Sequence, residues 1–284
     1  MGGMDRRGFL RAASVAAGGV ALAGCDSELL NILNKGEEQL WGMNVHPFGG
    51  HIFDAQIETL RRLGVRQVRI TLGLDTDLAG PYLRAYRAEY VGLLDDFNAG
   101  VPDPAAWPGL VRRAVQRAPG LFCYEVLNEP TTITPRAYVE QYLRPAYDVI
   151  KGINPAYQVA AAAPVGTSSG RTYFYQMSEA GADRWCDYRA AHLYLDNPEV
   201  YLKGTDRPFL ITETGVEDPA RHVDWWANKM THISGVLETD RLYFYAMLTT
   251  PDTGWAIISS RSRGGQVEVL SPLHDYIKDK YGPR

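Results

Sequence analysis

Leu121-Phe-Cys-Tyr-Glu-Val-Leu-Asn-Glu-Pro130 is the stretch whose reading decides the fold of this chain. Its first seven residues are mostly apolar, the composition of a strand buried on both faces, as in a parallel sheet inside a helical coat. Asn128-Glu129 then sets a polar pair at the strand's C-terminal edge, and Pro130, with no N–H to donate, stops the ladder. The same form returns 84 residues later in Pro208-Phe-Leu-Ile-Thr-Glu213-Thr-Gly215, a second buried strand with a glutamate at its exit. Outward from these two, strands are expected at Leu40–Pro47, Val65–Leu72, Glu89–Leu94, Gln158–Val165, Tyr188–Tyr194 and Arg241–Leu248. Helical patterns lie between them: Asp54–Leu63 behind an Asp N-cap, Tyr82–Arg87, Ala105–Arg117, Pro135–Ile150, Pro219–Leu237 and a closing Ser271–Tyr281. Gly166–Gly170 reads as a flexible loop. The order predicts the α/β class and a single (β/α)8 TIM barrel over residues 40–284. A chain of 284 residues with 45% hydrophobic content suits one such core.

The chemistry begins with the two glutamates. Two buried strands that each deliver a glutamate at the exit supply what hydrolysis of a glycosidic bond requires: one carboxyl protonates the leaving oxygen, the other attacks or steadies the sugar cation. Arg69 stands inside an apolar strand, where it is costly unless it faces a carboxylate; Glu125 is one such partner. His192 and Tyr194 are two apart on a strand and share a face. Asp95-Asp96-Phe97-Asn98, at the mouth of strand three, offers hydroxyl-binding groups or ordinary solvated acids. Trp255, past strand eight, offers an indole to an apolar sugar face. Val223, Trp226, Met230 and Ile233 recur at helical spacing and read as packing against the barrel.

Glu125-Val-Leu-Asn128-Glu129-Pro130 resembles the acid/base strand of clan A of the glycoside hydrolases, the retaining (β/α)8 enzymes that include families five and thirty-nine. Thr212-Glu213-Thr-Gly215 resembles that clan's nucleophile strand. The resemblance spans about residues 40–281, and these two motifs are its specific part. It implies Glu129 as acid/base and Glu213 as nucleophile. It further implies Asn128 on the sugar 2-hydroxyl, Arg69 under the nucleophile, and the tyrosine of His192-Leu-Tyr194 against the nucleophile carboxylate. His46, ending strand one, joins the substrate-binding or orienting set. One departure is strand eight, where Phe244 or Tyr245 stands in place of the clan's frequent tryptophan. The expected activity is retaining hydrolysis of β-linked polysaccharide or oligosaccharide by a monomer, with internal cleavage favoured by short connections. The alternative is a non-catalytic carbohydrate-binding lipoprotein on the same barrel. A metal-dependent barrel hydrolase is rejected: six histidines are scattered, strand one has Asn44-Val-His46 rather than paired histidines, and strand five has none. No metal or organic cofactor is expected.

Residues 1–24 read as an address. Asp5-Arg6-Arg7-Gly8-Phe9-Leu10-Arg11 resembles a twin-arginine export signal, and Leu22-Ala23-Gly24-Cys25 resembles a bacterial lipobox. That implies export to the cell envelope, lipidation of Cys25 and a membrane anchor, with residues 25–39 as a polar tether. Removing Met1–Gly24 takes away three arginines and one aspartate and carries the net charge from −4 to −6. With no basic stripe in the sequence, nucleic acid and electrostatic membrane docking are not expected. Cys123 and Cys186 are expected as two buried thiols rather than a disulfide.

Overall fold

A computed structural model describes residues 41–96, 100–195, 197–263 and 266–283. The address, the tether and Cys25 lie outside the described residues, as do Phe97 and Asn98. Eight parallel strands close a barrel in chain order. They are β1 Gly42–Val45, β2 Gln67–Thr71, β3 Glu89–Leu94, β4 Cys123–Val126, β5 Gln158–Ala161, β6 Tyr188–Leu193, β7 Phe209–Thr214 and β8 Leu242–Phe244. The predicted (β/α)8 barrel is the observed fold.

The helices are α1 Gly50–Leu63, α2 Gly80–Ala85, α3 Trp107–Arg117, α4 Pro135–Tyr138, α5 Arg144–Ile153, α6 Ser168–Glu179, α7 His222–Asp224, α8 Met230–Leu237 and α9 Leu273–Tyr281. Several boundaries differ from expectation for local reasons. α1 starts at Gly50, before Asp54, and its Gly49 cap makes no side-chain bond. The helix expected over Pro135–Ile150 is α4 and α5 joined by a π-helical turn at Val139–Leu143, and it ends at Ile153. A second π turn, Trp225–Lys229, joins α7 to α8. The expected loop Gly166–Gly170 is loop only at Gly166–Thr167, and α6 begins at Ser168: Thr167 Oγ1 accepts the Gly170 N–H at 3.4 Å, a Ser/Thr cap. Gly170 is required there, because a Cβ would lie 1.7 Å from the Val165 carbonyl oxygen. β5 and β8 pair over four and three residues only, shorter than their apolar runs, because strands in a tilted barrel share a limited ladder.

Two apolar regions fill the molecule. A large one lies between strands and helices and includes Trp226, Met230 and Ile233, the expected packing face of the helix after β7. A smaller one fills the lower barrel interior with Val91, Cys123, Ala160, Ala163, Ala190, Leu210 and Tyr243. The alanines of β5 leave room for the Tyr243 ring, which crowds Gly42 so closely that a Cβ there would sit 2.5 Å from it. Cys123 and Cys186 are free and buried. Among the described residues no helix is long and apolar enough to cross a membrane.

Candidate active site

Above the apolar plug, a polar layer spans the barrel. Arg69 projects from β2 and donates to four acceptors: Glu125 Oε2 through Nε at 2.6 Å, Glu213 Oε1 and Asn44 Oδ1 through Nη1 at 2.7 and 3.0 Å, and Asn128 Oδ1 through Nη2 at 2.8 Å. Arg69 therefore contacts Glu213 and Glu125 at once. Burial alone would lower the arginine's pKa; Glu125 and Glu213 outweigh it, so the guanidinium is more firmly protonated than usual.

β7 delivers Glu213 through an irregularity. Its register against β6 runs Ala191 to Ile211 and then His192 to Glu213, so β7 carries an extra residue. Such a bulge re-aims side chains. Thr212 and Glu213, sequence neighbours that a regular strand would send to opposite faces, both join the interior network. Thr212 Oγ1 donates to Glu125 Oε1 at 2.9 Å, and Asn44 Nδ2 donates to the Thr212 carbonyl at 2.8 Å. Tyr194 Oη donates to Glu213 Oε2 at 2.5 Å. Burial works to raise the Glu213 pKa, but His192, Arg69 and the Tyr194 hydrogen bond outweigh it and hold the carboxyl below its usual range.

β4 delivers Glu129 differently. The strand ends at Val126, one residue early, because Leu127 takes a left-handed backbone with φ 65°, and Glu129 follows with φ 41°. Non-glycine residues there cost of order 1–3 kcal/mol each and persist only where the surroundings impose them. The imposing contacts are backbone bonds to both neighbouring strands, Leu127 N–H to the Leu94 carbonyl and Glu129 N–H to the Ala163 carbonyl, plus Asn128 N–H to Asp95 Oδ2. His192 stands between the two glutamates. Its Nδ1 shares a hydrogen bond with Glu129 Oε1 at 2.7 Å, and its Nε2 lies 3.5 Å from Glu213 Oε1, ion-pair range rather than hydrogen-bond geometry. One oxygen of each carboxyl and one ring nitrogen of His192 lie within 4.8 Å of one another. That trio could share a cation, but the Arg69 charge already sits 2.7 Å from Glu213 Oε1.

The carboxyls open on a pocket of about 270 Å³ lined by Asn44, His46, Arg69, Asp95, Asp96, Asn128, Glu129, Glu213 and Tyr245, among others. It lies past the C-terminal ends of the strands, the face where barrel enzymes work. His46 is held neutral: burial lowers its pKa to about 4, against a smaller opposing pull from Glu213. Tyr245 has its pKa raised to about 12 by burial and then by Glu213, and its ring lines the pocket where the clan's tryptophan was missed. Burial raises Asp95 to about 6, against the N–H groups of Asn128 and Asp96. Trp255, partly exposed, packs edge-on against Tyr194 and Tyr245, with ring centroids 5.1 and 6.1 Å away. Sequence reasoning left Asn44 and Thr212 without a role and named Glu125 only as a partner for Arg69. Their signal was a polar residue inside an apolar strand, the same one that singled out Arg69. At the opposite end of the strands, Arg66, Arg84, Arg87 and Arg117 line a groove of about 610 Å³, a basic cluster that no run in the sequence betrays.

A scan against family models and a search of curated proteins both find no match. Solved structures do match. The catalytic domain of GH30 xylanase C from Talaromyces cellulolyticus aligns with a TM-score of 0.56 at 12% identity, over 85% of this chain and 76% of that one. A mannanase catalytic domain from Streptomyces sp. SirexAA-E aligns at 0.57 and 15%, over 86% and 85%. The likeness is one of fold. A β-D-glucuronidase of Dictyoglomus thermophilum aligns at 0.57 and 10% identity, and this chain spans half of it.

Proposed function

We propose that this chain is a retaining glycoside hydrolase acting on a β-linked polysaccharide or oligosaccharide. Glu129 is the acid/base and Glu213 the nucleophile. The observation that carries the reading is the unequal treatment of two carboxyls whose nearest oxygens lie within 4.8 Å. Glu213 is clamped by a guanidinium and a phenol and held ionised, whereas the side chain of Glu129, 32% exposed, has one hydrogen bond among the described residues, to the His192 imidazole. Retaining enzymes hold their carboxyl groups about 5–5.5 Å apart, too close for a water between carboxylate and sugar, so the second carboxylate attacks directly.

In the first step Glu213 attacks the anomeric carbon as Glu129 gives its proton to the leaving oxygen. In the second, Glu213 is esterified and neutral, and Glu129 takes a proton from water as that water attacks. His192, bonded to Oε1, leaves Oε2 of Glu129 for these transfers. Asn128, whose Oδ1 is held by Arg69, presents its amide N–H to the sugar 2-hydroxyl. The charge of Arg69 is committed to Glu125 and Glu213. With Asp95 and Asp96 on the same wall, the pocket suits a neutral sugar, as the names of the xylanase and mannanase imply for those proteins, rather than a uronide. The test is release of reducing ends from a panel of neutral and acidic polysaccharides by wild type and not by Glu213→Gln, with proton NMR of the first-formed anomer. Binding to the panel without release by either protein would favour a carbohydrate-binding lipoprotein.

Export and lipidation at Cys25 belong to the same proposal, resting on the lipobox-like Leu22–Cys25. Wild type should fractionate with membranes and Cys25→Ser should be released. Wild type found soluble with Met1 retained would refute it.

A further inference from the structure

Glu125 lies four residues before Glu129 on β4 and is wholly buried; neither step of the double displacement uses it. A carboxylate at that depth is costly unless charge and hydrogen bonds meet it. Both oxygens are met, and by the two groups that support Glu213. Oε2 accepts from Arg69 Nε at 2.6 Å, and the same guanidinium holds Glu213 through Nη1 at 2.7 Å. Oε1 accepts from the Thr212 hydroxyl at 2.9 Å, on the residue preceding Glu213 in the bulge of β7. The strand that carries the acid/base is thus tied through one buried carboxylate to the strand that carries the nucleophile.

Arg69 contacts both carboxylates, and the negative charge of Glu125 offsets part of the positive potential that Arg69 sets up at Glu213. Were Glu125 neutral, the whole Arg69 charge would favour ionised Glu213, and a carboxylate that is too well stabilised attacks and departs less readily. We propose that Glu125 is a positioning residue: it fixes Arg69 and takes a share of its charge, so that Glu213 stays ionised yet reactive. This rests on the retaining reading above. The other groups facing Glu213 are Glu129 past β4, His192 on β6, Tyr194 just past it, His46 past β1 and Tyr245 past β8. Glu125 itself faces Arg69 and, on its own strand, Cys123. None of these is altered by Glu125→Gln.

The experiment is the pH profile of kcat/KM for wild type and Glu125→Gln. Removing a negative neighbour lowers the pKa of Glu213, so the acid limb should move to lower pH by about one unit, with kcat falling about tenfold. Glu125→Asp, which keeps the charge but withdraws it by one methylene, should fall between the two. A lowered melting temperature with the acid limb in place would mean that Glu125 only braces the fold, and would overturn the proposal. If Glu125→Gln does not fold, Glu125→Asp decides alone: a limb that stays put overturns it. If wild type turns over no substrate, the retaining reading fails, and carbon-13 titration of labelled glutamate carboxyls still decides this one. The Glu213 resonance, assigned by its loss in Glu213→Gln, should titrate at lower pH in Glu125→Gln; an unchanged titration overturns the proposal.

Discussion

The exits of β4 and β7 look alike in sequence and differ in almost every physical respect. β7 is buried along its whole length, and Glu213 sits within the ladder with its side chain 10% exposed, bonded by Arg69 and Tyr194. β4 has already ended when the chain reaches Glu129, which stands on a left-handed backbone, 32% exposed, with His192 as its partner. The difference follows from what each proposed role demands. A nucleophile must be ionised, oriented and still, which hydrogen bonds and a cation in a low-dielectric interior provide. An acid/base must exchange its proton with substrate and water, which needs exposure and few competing bonds.

The largest expected effect comes from the rigid side. Glu213→Ala should remove turnover by at least about four powers of ten, because nothing else can form the covalent intermediate. Measurable steady-state turnover within a hundredfold of wild type would break the comparison. On the open side, Glu129→Ala should cost about 10²–10⁴-fold on substrates with poor leaving groups. It should cost far less on the first step with aryl glycosides, which need little protonation, and external azide should partly restore turnover. Equal, unrescued losses for both leaving-group types would overturn the assignment.

Tyr194→Phe should be milder. The hydrogen bond also orients the Glu213 carboxylate, and loss of that orientation should lower kcat about 10–100-fold. The bond favours ionised Glu213, so its loss should move the acid limb of kcat/KM to higher pH, opposite in sign to Glu125→Gln. Smallest is an effect on stability. The folded pKa of Glu213 lies below its usual 4.5, so its contribution is fully present above that value and is lost as pH falls through the folded pKa. Urea midpoints should therefore fall more steeply below pH 4.5 for wild type than for Glu213→Gln. Parallel curves would show that Arg69 and Tyr194 do not favour the ionised form.

Much of this was legible in the chain. Apolar runs ending in a polar residue located the eight strands, and β3 was bounded to the residue at Glu89–Leu94. Arg69 and His192 drew attention because charge and imidazole are expensive inside apolar strands. The misses have local causes. Gly166–Gly170 was read as a loop from its composition, yet the Thr167 cap and the close approach of Gly170 to Val165 make it a helix start. Trp255 meets Tyr194 and Tyr245, rings from two other strand exits, a contact that chain order does not show.

The sequence by itself determined the barrel, through the period of its strands and helices, and nominated Glu129 and Glu213, because few arrangements put a carboxylate at the end of a buried strand. Only the tertiary structure decided which carboxyl is held ionised and which is left open. That depends on a bulge that turns Thr212 and Glu213 to the same side. It depends on left-handed residues at Leu127 and Glu129. It depends, too, on one arginine meeting Glu125, Asn128 and Glu213 from 56, 59 and 144 positions away. Spacing along a chain cannot report such contacts, because barrel closure, and not local propensity, brings them within a hydrogen bond's length.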